Sequence, residues 1–72
     1  MQEKPTYSNH ARLRMTQRRV SESEVEAVLA EYHTRYHDRD GNDILIAHPG
    51  GRRIKVVVAK NSDPARVITV GD

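Results

Sequence analysis

The sequence predicts an α+β fold in which two N-terminal helices pack on one face of a four-stranded antiparallel sheet (α-α-β-β-β-β). In the first half of the chain, up to Tyr32, apolar residues recur at the three-to-four-residue spacing of helices. In the second half, short runs rich in β-branched residues alternate with Gly- and Pro-containing turns at 40–42 and 49–51. Turns this short favour antiparallel pairing of consecutive strands.

Length and composition restrict the class of protein. The 72 residues are enough for one domain, which we expect to span 1–72. The absence of cysteine excludes disulfides, thiolate metal sites and a cysteine nucleophile. No apolar run approaches the ~20 residues of a membrane span, and the N-terminus lacks the apolar segment of a signal peptide. We therefore expect a cytoplasmic protein with no membrane partner.

The first helix is predicted over 9–18, with Ser8 as its N-cap. One stripe of this helix is polar rather than apolar. Its members, at i, i+4, i+7 and i+8, are His10, Arg14, Gln17 and Arg18. Counting from Ala11, two of the four positions expected to face the core are Arg14 and Arg18. Because burying an unpaired charge is costly, we expect these guanidinium groups to border a cleft that suits a phosphodiester ligand.

The second helix is predicted over 22–32 and has the stronger start signal. Ser21 and Glu24 match a capping box. Val20 and Val25 match the hydrophobic staple that accompanies it. The face expected to be buried consists of Val25, Val28, Leu29 and Tyr32.

Four strands are predicted from the remaining apolar runs. They span 34–38, 44–47, 52–59 and 66–70. Because side chains alternate along a strand, Lys55 should lie on the same side as Arg53. The apolar Ile54, Val56 and Val58 should lie on the other side.

The net charge of +2 is unevenly distributed along the chain. Residues 1–20 carry a net charge of +4, residues 21–50 a net charge of −5 and residues 51–72 a net charge of +3. If the two basic segments meet in space, they form a positive surface that favours an anionic partner such as nucleic acid. The alternative is a solvated surface of mixed charge.

Several motifs follow one another in a distinctive order. They are His10-Ala11-x-x-Arg14-Met15-x-x-Arg18, Val20-Ser21 with Val25, Val56-Val57-Val58 and Val67-Ile68-Thr69-Val70. In this order they resemble the domain-of-unknown-function family 4258. The resemblance covers nearly the whole chain. Arg19 stands where the family usually has glycine.

The resemblance implies both a fold and an activity. Family 4258 looks like a relative of the RelE, barnase and colicin-type ribonucleases, many of which are toxins that cut RNA without metal. In those folds a helix histidine, a basic residue of a central strand and a Ser or Thr of the last strand recur at the site. Here those roles would fall to His10, Lys55 (or Arg53) and Thr69.

Metal-free RNA cleavage needs a base for the 2′-hydroxyl, an acid for the leaving 5′-oxygen and cations for the phosphate. His10 is the candidate base or acid, and Arg14 would grip the phosphate beside it. Arg18, Arg53 and Gln17 are candidate RNA- or phosphate-binding residues. No metal or cofactor is expected. We therefore expect a toxin-type, ribonuclease-like domain that cuts or binds RNA.

Each candidate residue also has a structural alternative. A helix histidine can cap or pack, Arg14 and Arg18 can pair with the glutamates of the second helix, and Thr69 can simply favour a strand. Lys55 can face solvent. The rival function is a non-catalytic module that binds nucleic acid or a protein through the same basic face.

The histidines suggest a metal as another ligand, and the edge strands suggest other partners. The spacing of His33 and His37, with His48 nearby, would suit zinc on a helix, but the neighbouring residues indicate a strand. RNA is the expected partner. An antitoxin, another protein or a second copy of the chain could pair with an exposed edge strand at 65–70 or 34–38.

Overall fold

A computed structural model of the chain describes residues 4–72, so residues 1–3 of the expected domain lie outside the described part. Within it, the elements in chain order are β1 (Thr6–Tyr7), α1 (Asn9–Arg18), α2 (Glu22–Glu31), β2 (Thr34–His37), β3 (Asp43–Ala47), a 3₁₀ turn (Pro49–Gly51), β4 (Ile54–Val58) and β5 (Arg66–Gly71). The predicted α+β class is confirmed. Each predicted helix and strand is present, with ends that differ by at most two residues.

The sheet has five strands in the order β1-β5-β4-β3-β2, so the predicted number of four is wrong. The strands β2, β3, β4 and β5 pair antiparallel in succession, as predicted. The additional strand β1 pairs parallel with β5, with Thr6 opposite Arg66 and Tyr7 opposite Val67. The sheet is therefore mixed rather than purely antiparallel.

Tertiary contacts explain why β1 could not be predicted. Two residues are too few to show the alternating pattern of a strand. The N–H of Thr6 donates to the carbonyl of Ala65 at 2.9 Å, and the N–H of Ser8 donates to the carbonyl of Val67 at 3.0 Å. Ser8 also caps α1, as predicted, and its hydroxyl donates to the carbonyl of Ile68 at 2.7 Å. These contacts fix the start of α1 against β5.

The end of α1 has a backbone conformation that favours glycine at position 19. Arg19 follows the helix with φ 55° and ψ 49°, in the left-handed region. Its N–H donates to the carbonyls of Met15 and Thr16, which closes the last turn. A side chain in this conformation costs ~1 kcal/mol that glycine avoids.

Arg19→Gly is accordingly expected to raise the free energy of unfolding by about 0.5–1 kcal/mol. Urea denaturation followed by circular dichroism measures the change. The control is Arg19→Ala, which removes the same charged group but keeps the β-carbon and should give no gain. A loss of stability in Arg19→Gly would contradict this explanation.

The start of α2 is confirmed and its end is not. Ser21 and Glu24 form both hydrogen bonds of the predicted capping box. Val20 and Val25 are both buried in the core. The prediction that Tyr32 belongs to the buried face is wrong, because the helix ends at Glu31 and Tyr32 turns extended, with φ −62° and ψ 144°. Its side chain is 40% exposed.

The hydrophobic core lies between the two helices and one face of the sheet. The helices and the corner between them contribute Ala11, Met15, Val20, Val25 and Val28. The strands contribute Leu45, Ala47, Ile54, Val56, Val58, Val67 and Val70. We call the other side of the sheet the open face. Register and strand alternation place on it Thr34, Tyr36, Ile44, Ile46, Lys55, Val57 and Thr69.

The described helices are short. Each of α1 and α2 has 10 residues. Within residues 4–72, neither has the length and apolar character that a membrane-crossing helix requires.

Candidate functional site

Two predicted site residues, Lys55 and Thr69, lie on the open face. Lys55 is opposite Gly71, and Thr69 is opposite Val57 in the next pair on the same face. Both side chains are half-buried, and that of Lys55 extends over Gly71. Arg53, immediately before β4, is exposed and continues the same alternation. The structure therefore brings Lys55, Thr69 and Arg53 to one surface.

An apolar floor lies beside these polar residues. Ile46 and Val57 are only 7% and 8% exposed, although neither belongs to the core under the helices. Ile44 is half-buried between them and the rim. At the rim, the ring of Tyr36 is 44% exposed. Because strands lie ~4.8 Å apart, the face from β2 to β5 is about 14 Å wide.

The predicted helix stripe lies on the other side of the sheet. His10 and Gln17 are exposed on α1, and Arg14 is half-buried. A guanidinium N–H of Arg14 donates to the side-chain oxygen of Gln17 at 3.4 Å. Arg18 turns to the C-terminal end of β5, where its Nη1 lies 3.8 Å from the carboxylate of Asp72.

The composite site of helix and strand residues is therefore not formed on one surface of the described chain. The helices cover the apolar side of β4, which carries Ile54 and Val56. Lys55 lies between these two residues and must point away from α1. His10 consequently sits across the sheet from Lys55 and Thr69.

The two helices are joined by Arg12 rather than by Arg14 or Arg18. The Nη1 of Arg12 lies 2.5 Å from the carboxylate of Glu22, the first residue of α2. The same guanidinium lies over the ring of Tyr7, 4.3 Å from its centroid. The hydrogen bond and charge of Arg12 lower the pKa of the Glu22 carboxyl. Arg14 takes part in none of the ion pairs within residues 4–72.

Arg52 brings the two basic segments of the sequence together. Its Nη1 donates to the carbonyl of Arg19 at 2.9 Å, and its Nη2 donates to the carbonyl of Arg18. The guanidinium also lies 4.0 Å from the carboxylate of Glu24 and 3.9 Å from that of Asp72. A cation at this position satisfies carbonyls that the end of α1 leaves free and complements the helix dipole. No sequence motif indicated this role, because the contact spans 33 residues or more.

Five basic side chains lie at this end of the sheet, three on the helix side and two on the open face. They are Arg18, Arg19, Arg52, Arg53 and Lys55. We call this the basic end. The carboxylates of Glu24 and Asp72 lie there too, and both face Arg52. Among the ion pairs of residues 4–72, none involves Arg19, Arg53 or Lys55, so these three cations remain available to an anion.

The opposite end of the sheet carries charges of both signs. Its turns carry Asp38, Asp40 and Asp63 beside Arg39 and Lys60, Asp43 begins β3 and Arg66 begins β5. The N–H groups of Asn42 and Asp40 donate to the carboxylate of Asp38 at 2.8 Å and 2.9 Å. These hydrogen bonds, that of Asn42 above all, lower the pKa of Asp38 and keep it charged.

Sequence analysis also missed a contact between two histidines. Nε2 of His33, just after α2, lies 2.8 Å from Nδ1 of His48, just after β3. His37 lies elsewhere, with its Nε2 3.0 Å from the carboxylate of Asp43. Within the described residues, no group of three or more His, Asp or Glu side chains is placed to hold a metal ion. The three histidines considered for zinc thus do not share one position.

Comparison with known proteins identifies the family of this chain. A family model described as a domain of unknown function, DUF4258, matches residues 7–72. The chain belongs to this family. The matched part of this DUF4258 chain contains both helices, the four long strands and every residue of the basic end. No curated protein and no solved structure matches the chain.

Proposed function

We propose that this DUF4258 domain binds RNA through the basic end and the adjoining open face. The observation that carries the proposal is the contact of Arg52 with the last carbonyls of α1, which brings Arg18, Arg19 and Arg52 to the end of the sheet where Arg53 and Lys55 begin the open face. Proteins hold RNA backbones mainly with Lys, Arg and hydroxyl donors. Arg53 and Lys55 supply the charge here, and Thr69 supplies a hydroxyl on the same face.

The resemblance to RelE, barnase and colicin-type ribonucleases supports RNA as the ligand. That this chain shares their fold is part of the proposal, and it rests on analogy rather than on the site itself. Two helices ahead of an antiparallel array of four strands are compatible with it. The position of Lys55 and Thr69 on one face is also compatible with that fold.

Binding without cleavage is the version of the proposal that the geometry favours. Cleavage needs a base and an acid at the same phosphate. His10, the candidate for that work, lies on α1, on the other side of the sheet from Lys55 and Thr69. The non-catalytic, nucleic-acid-binding module is therefore better supported than the ribonuclease.

The double variant Arg53→Glu/Lys55→Glu is expected to weaken RNA binding by about a hundredfold. Each reversal removes a phosphate contact and adds repulsion, at ~1–2 kcal/mol per site. Fluorescence anisotropy with a labelled single-stranded RNA oligonucleotide, in EDTA, measures the affinity. Wild-type affinity should fall steeply as salt rises, because phosphate contacts release counterions.

The matched control is Arg39→Glu/Lys60→Glu, which changes the net charge equally at the opposite end of the sheet. It should lose only severalfold in affinity, through long-range repulsion that salt screens. Equal losses in the two double variants would show that net charge alone governs binding. That result would overturn the proposed surface.

The same samples distinguish binding from cleavage. RNA that is recovered intact after incubation with wild-type protein in EDTA supports the binding module. Cleavage in EDTA that disappears in His10→Ala would instead favour the ribonuclease over the binding module, with His10 as base or acid. Absence of binding at low salt would reject both.

A further inference from the structure

Tyr36 is the tyrosine of the open face, and its side chain is 44% exposed. It lies on β2, and no described strand lies beyond β2 in the sheet. Within residues 4–72, the cation–π contact of a tyrosine is that of Tyr7 with Arg12, and the stacked rings belong to two histidines. The described residues therefore leave the ring face of Tyr36 free to receive a planar ligand.

Two rows of side chains cross the open face. The first row contains Tyr36, Ile44, Val57 and Thr69, and the second contains Thr34, Ile46, Lys55 and Gly71. Because neighbouring strands are ~4.8 Å apart, the backbones of Tyr36 and Thr69 are about 14 Å apart. The first row thus begins with an aromatic ring, crosses two aliphatic side chains and ends at a hydroxyl. The ammonium group of Lys55 stands in the row beside it.

The chemistry of these rows fits single-stranded RNA. Proteins bind single strands by combining cations that follow the backbone with aromatic rings on which unpaired bases stack. The open face supplies the cations of Arg53 and Lys55 and the ring of Tyr36. In a duplex the bases are paired and stacked on one another, so their faces are closed to a side chain on a sheet.

We propose that Tyr36 stacks on an unpaired RNA base while the backbone of the same strand crosses the open face towards Lys55 and Thr69. The inference rests on the proposed function and adds its substrate class, single-stranded rather than duplex RNA. Every base presents a π-face, so stacking on one ring is tolerant of sequence. Tyr36 consequently selects for an unpaired base and not for a particular one.

Features of β2 favour RNA over a second copy of the chain as the ligand beside Tyr36. An exposed tyrosine alone requires no ligand, and an edge strand can also pair with another strand. However, β2 has only four residues, and two of them are Arg35 and His37. Short edge strands with charged side chains discourage pairing between sheets. The cations on the same face attract a polyanion instead.

Tyr36→Ala is expected to weaken binding of a single-stranded RNA oligonucleotide about tenfold, because one base loses its stacking partner. Fluorescence anisotropy in EDTA measures the affinity. Tyr36→Phe keeps the ring without the hydroxyl and should bind as wild type. A duplex of the same sequence should bind wild type and Tyr36→Ala equally.

The matched control is Tyr32→Ala, which removes an aromatic ring that is 40% exposed. Asp43 and the hydroxyl of Tyr32 raise the pKa of Arg35, and Arg35 is paired with the core residue Leu45. Tyr32 therefore lies towards the helix side of β2. Tyr32→Ala should bind single-stranded RNA as wild type does.

Tyr36→Trp supplies a second readout, since the chain contains no other tryptophan. Single-stranded RNA should quench the indole fluorescence of this variant, because a base stacks on the ring. Inorganic polyphosphate has the charge of a backbone but no bases. It should compete with RNA for the cations and leave the fluorescence unchanged.

Equal affinity of wild type and Tyr36→Ala for single-stranded RNA, or equal quenching by RNA and polyphosphate, would overturn the inference. If Arg53→Glu/Lys55→Glu still weakened binding, the proposed function would stand on backbone contacts alone. A wild-type dimer that Tyr36→Ala dissociates in analytical ultracentrifugation would assign the ring to a second copy and also overturn the inference. Absence of RNA binding by wild type at low salt would reject the proposed function as well.

Discussion

Arg52→Ala is expected to lower the free energy of unfolding by about 2 kcal/mol and to weaken RNA binding at the same time. The guanidinium donates to two carbonyls at the end of α1 and lies beside Glu24 and Asp72. A hydrogen bond to a charged group contributes ~1.5–3 kcal/mol when buried. This side chain is 36% exposed, so solvent screening reduces that contribution. Urea denaturation and RNA anisotropy measure the two effects.

Arg52→Lys is the matched variant. Lysine keeps the charge but cannot present a rigid fork of N–H donors to two carbonyls. We expect it to recover much of the RNA affinity and less than half of the lost stability. If Arg52→Ala were as stable as wild type, Arg52 would not hold α1 against the start of β4, and the basic end would lose its structural basis.

Ile54→Ala is expected to lower the free energy of unfolding by about 3–4 kcal/mol. Ile54 is fully buried between the helices and the sheet, and truncation would leave a cavity there. That is a large share of the ~5–10 kcal/mol typical of a small domain. Thermal and urea unfolding, compared with wild type, give the value.

Ile44→Ala removes the same atoms from the open face, where Ile44 is only half-buried. We expect a loss of about 1 kcal/mol, since less apolar surface returns to water. The difference between the stability losses of the two variants reports how much of the open face is exposed to solvent. Equal losses would mean that another surface covers the open face in solution, which would contradict its assignment as the RNA-binding side.

Local signals predicted the helices well. Ser8 and the Ser21–Glu24 capping box act on N–H groups within three residues, so their geometry follows from short stretches of sequence. The strands were found from β-branched runs and turn residues in the same way. Tyr32 was misplaced because a helical pattern does not show where tertiary contacts stop the helix.

The features that define the site depend on contacts between distant residues. Thr6 pairs with Arg66, Arg52 reaches the end of α1, and His33 meets His48, and none of these contacts has a local signature. The separation of His10 from Lys55 was nevertheless predictable. The apolar Ile54 had to face the helices, so its neighbour had to face away from them.

Backbone amide shifts of ¹⁵N-labelled protein during titration with a single-stranded RNA oligonucleotide test the central claim most directly. The largest changes should lie at the basic end and along the adjoining open face. These positions are Arg19, Thr34, 53–57 and 69–71. Changes concentrated on α1 at 10–17, or in the turn at 38–42, would place the ligand elsewhere and contradict the proposed RNA-binding surface.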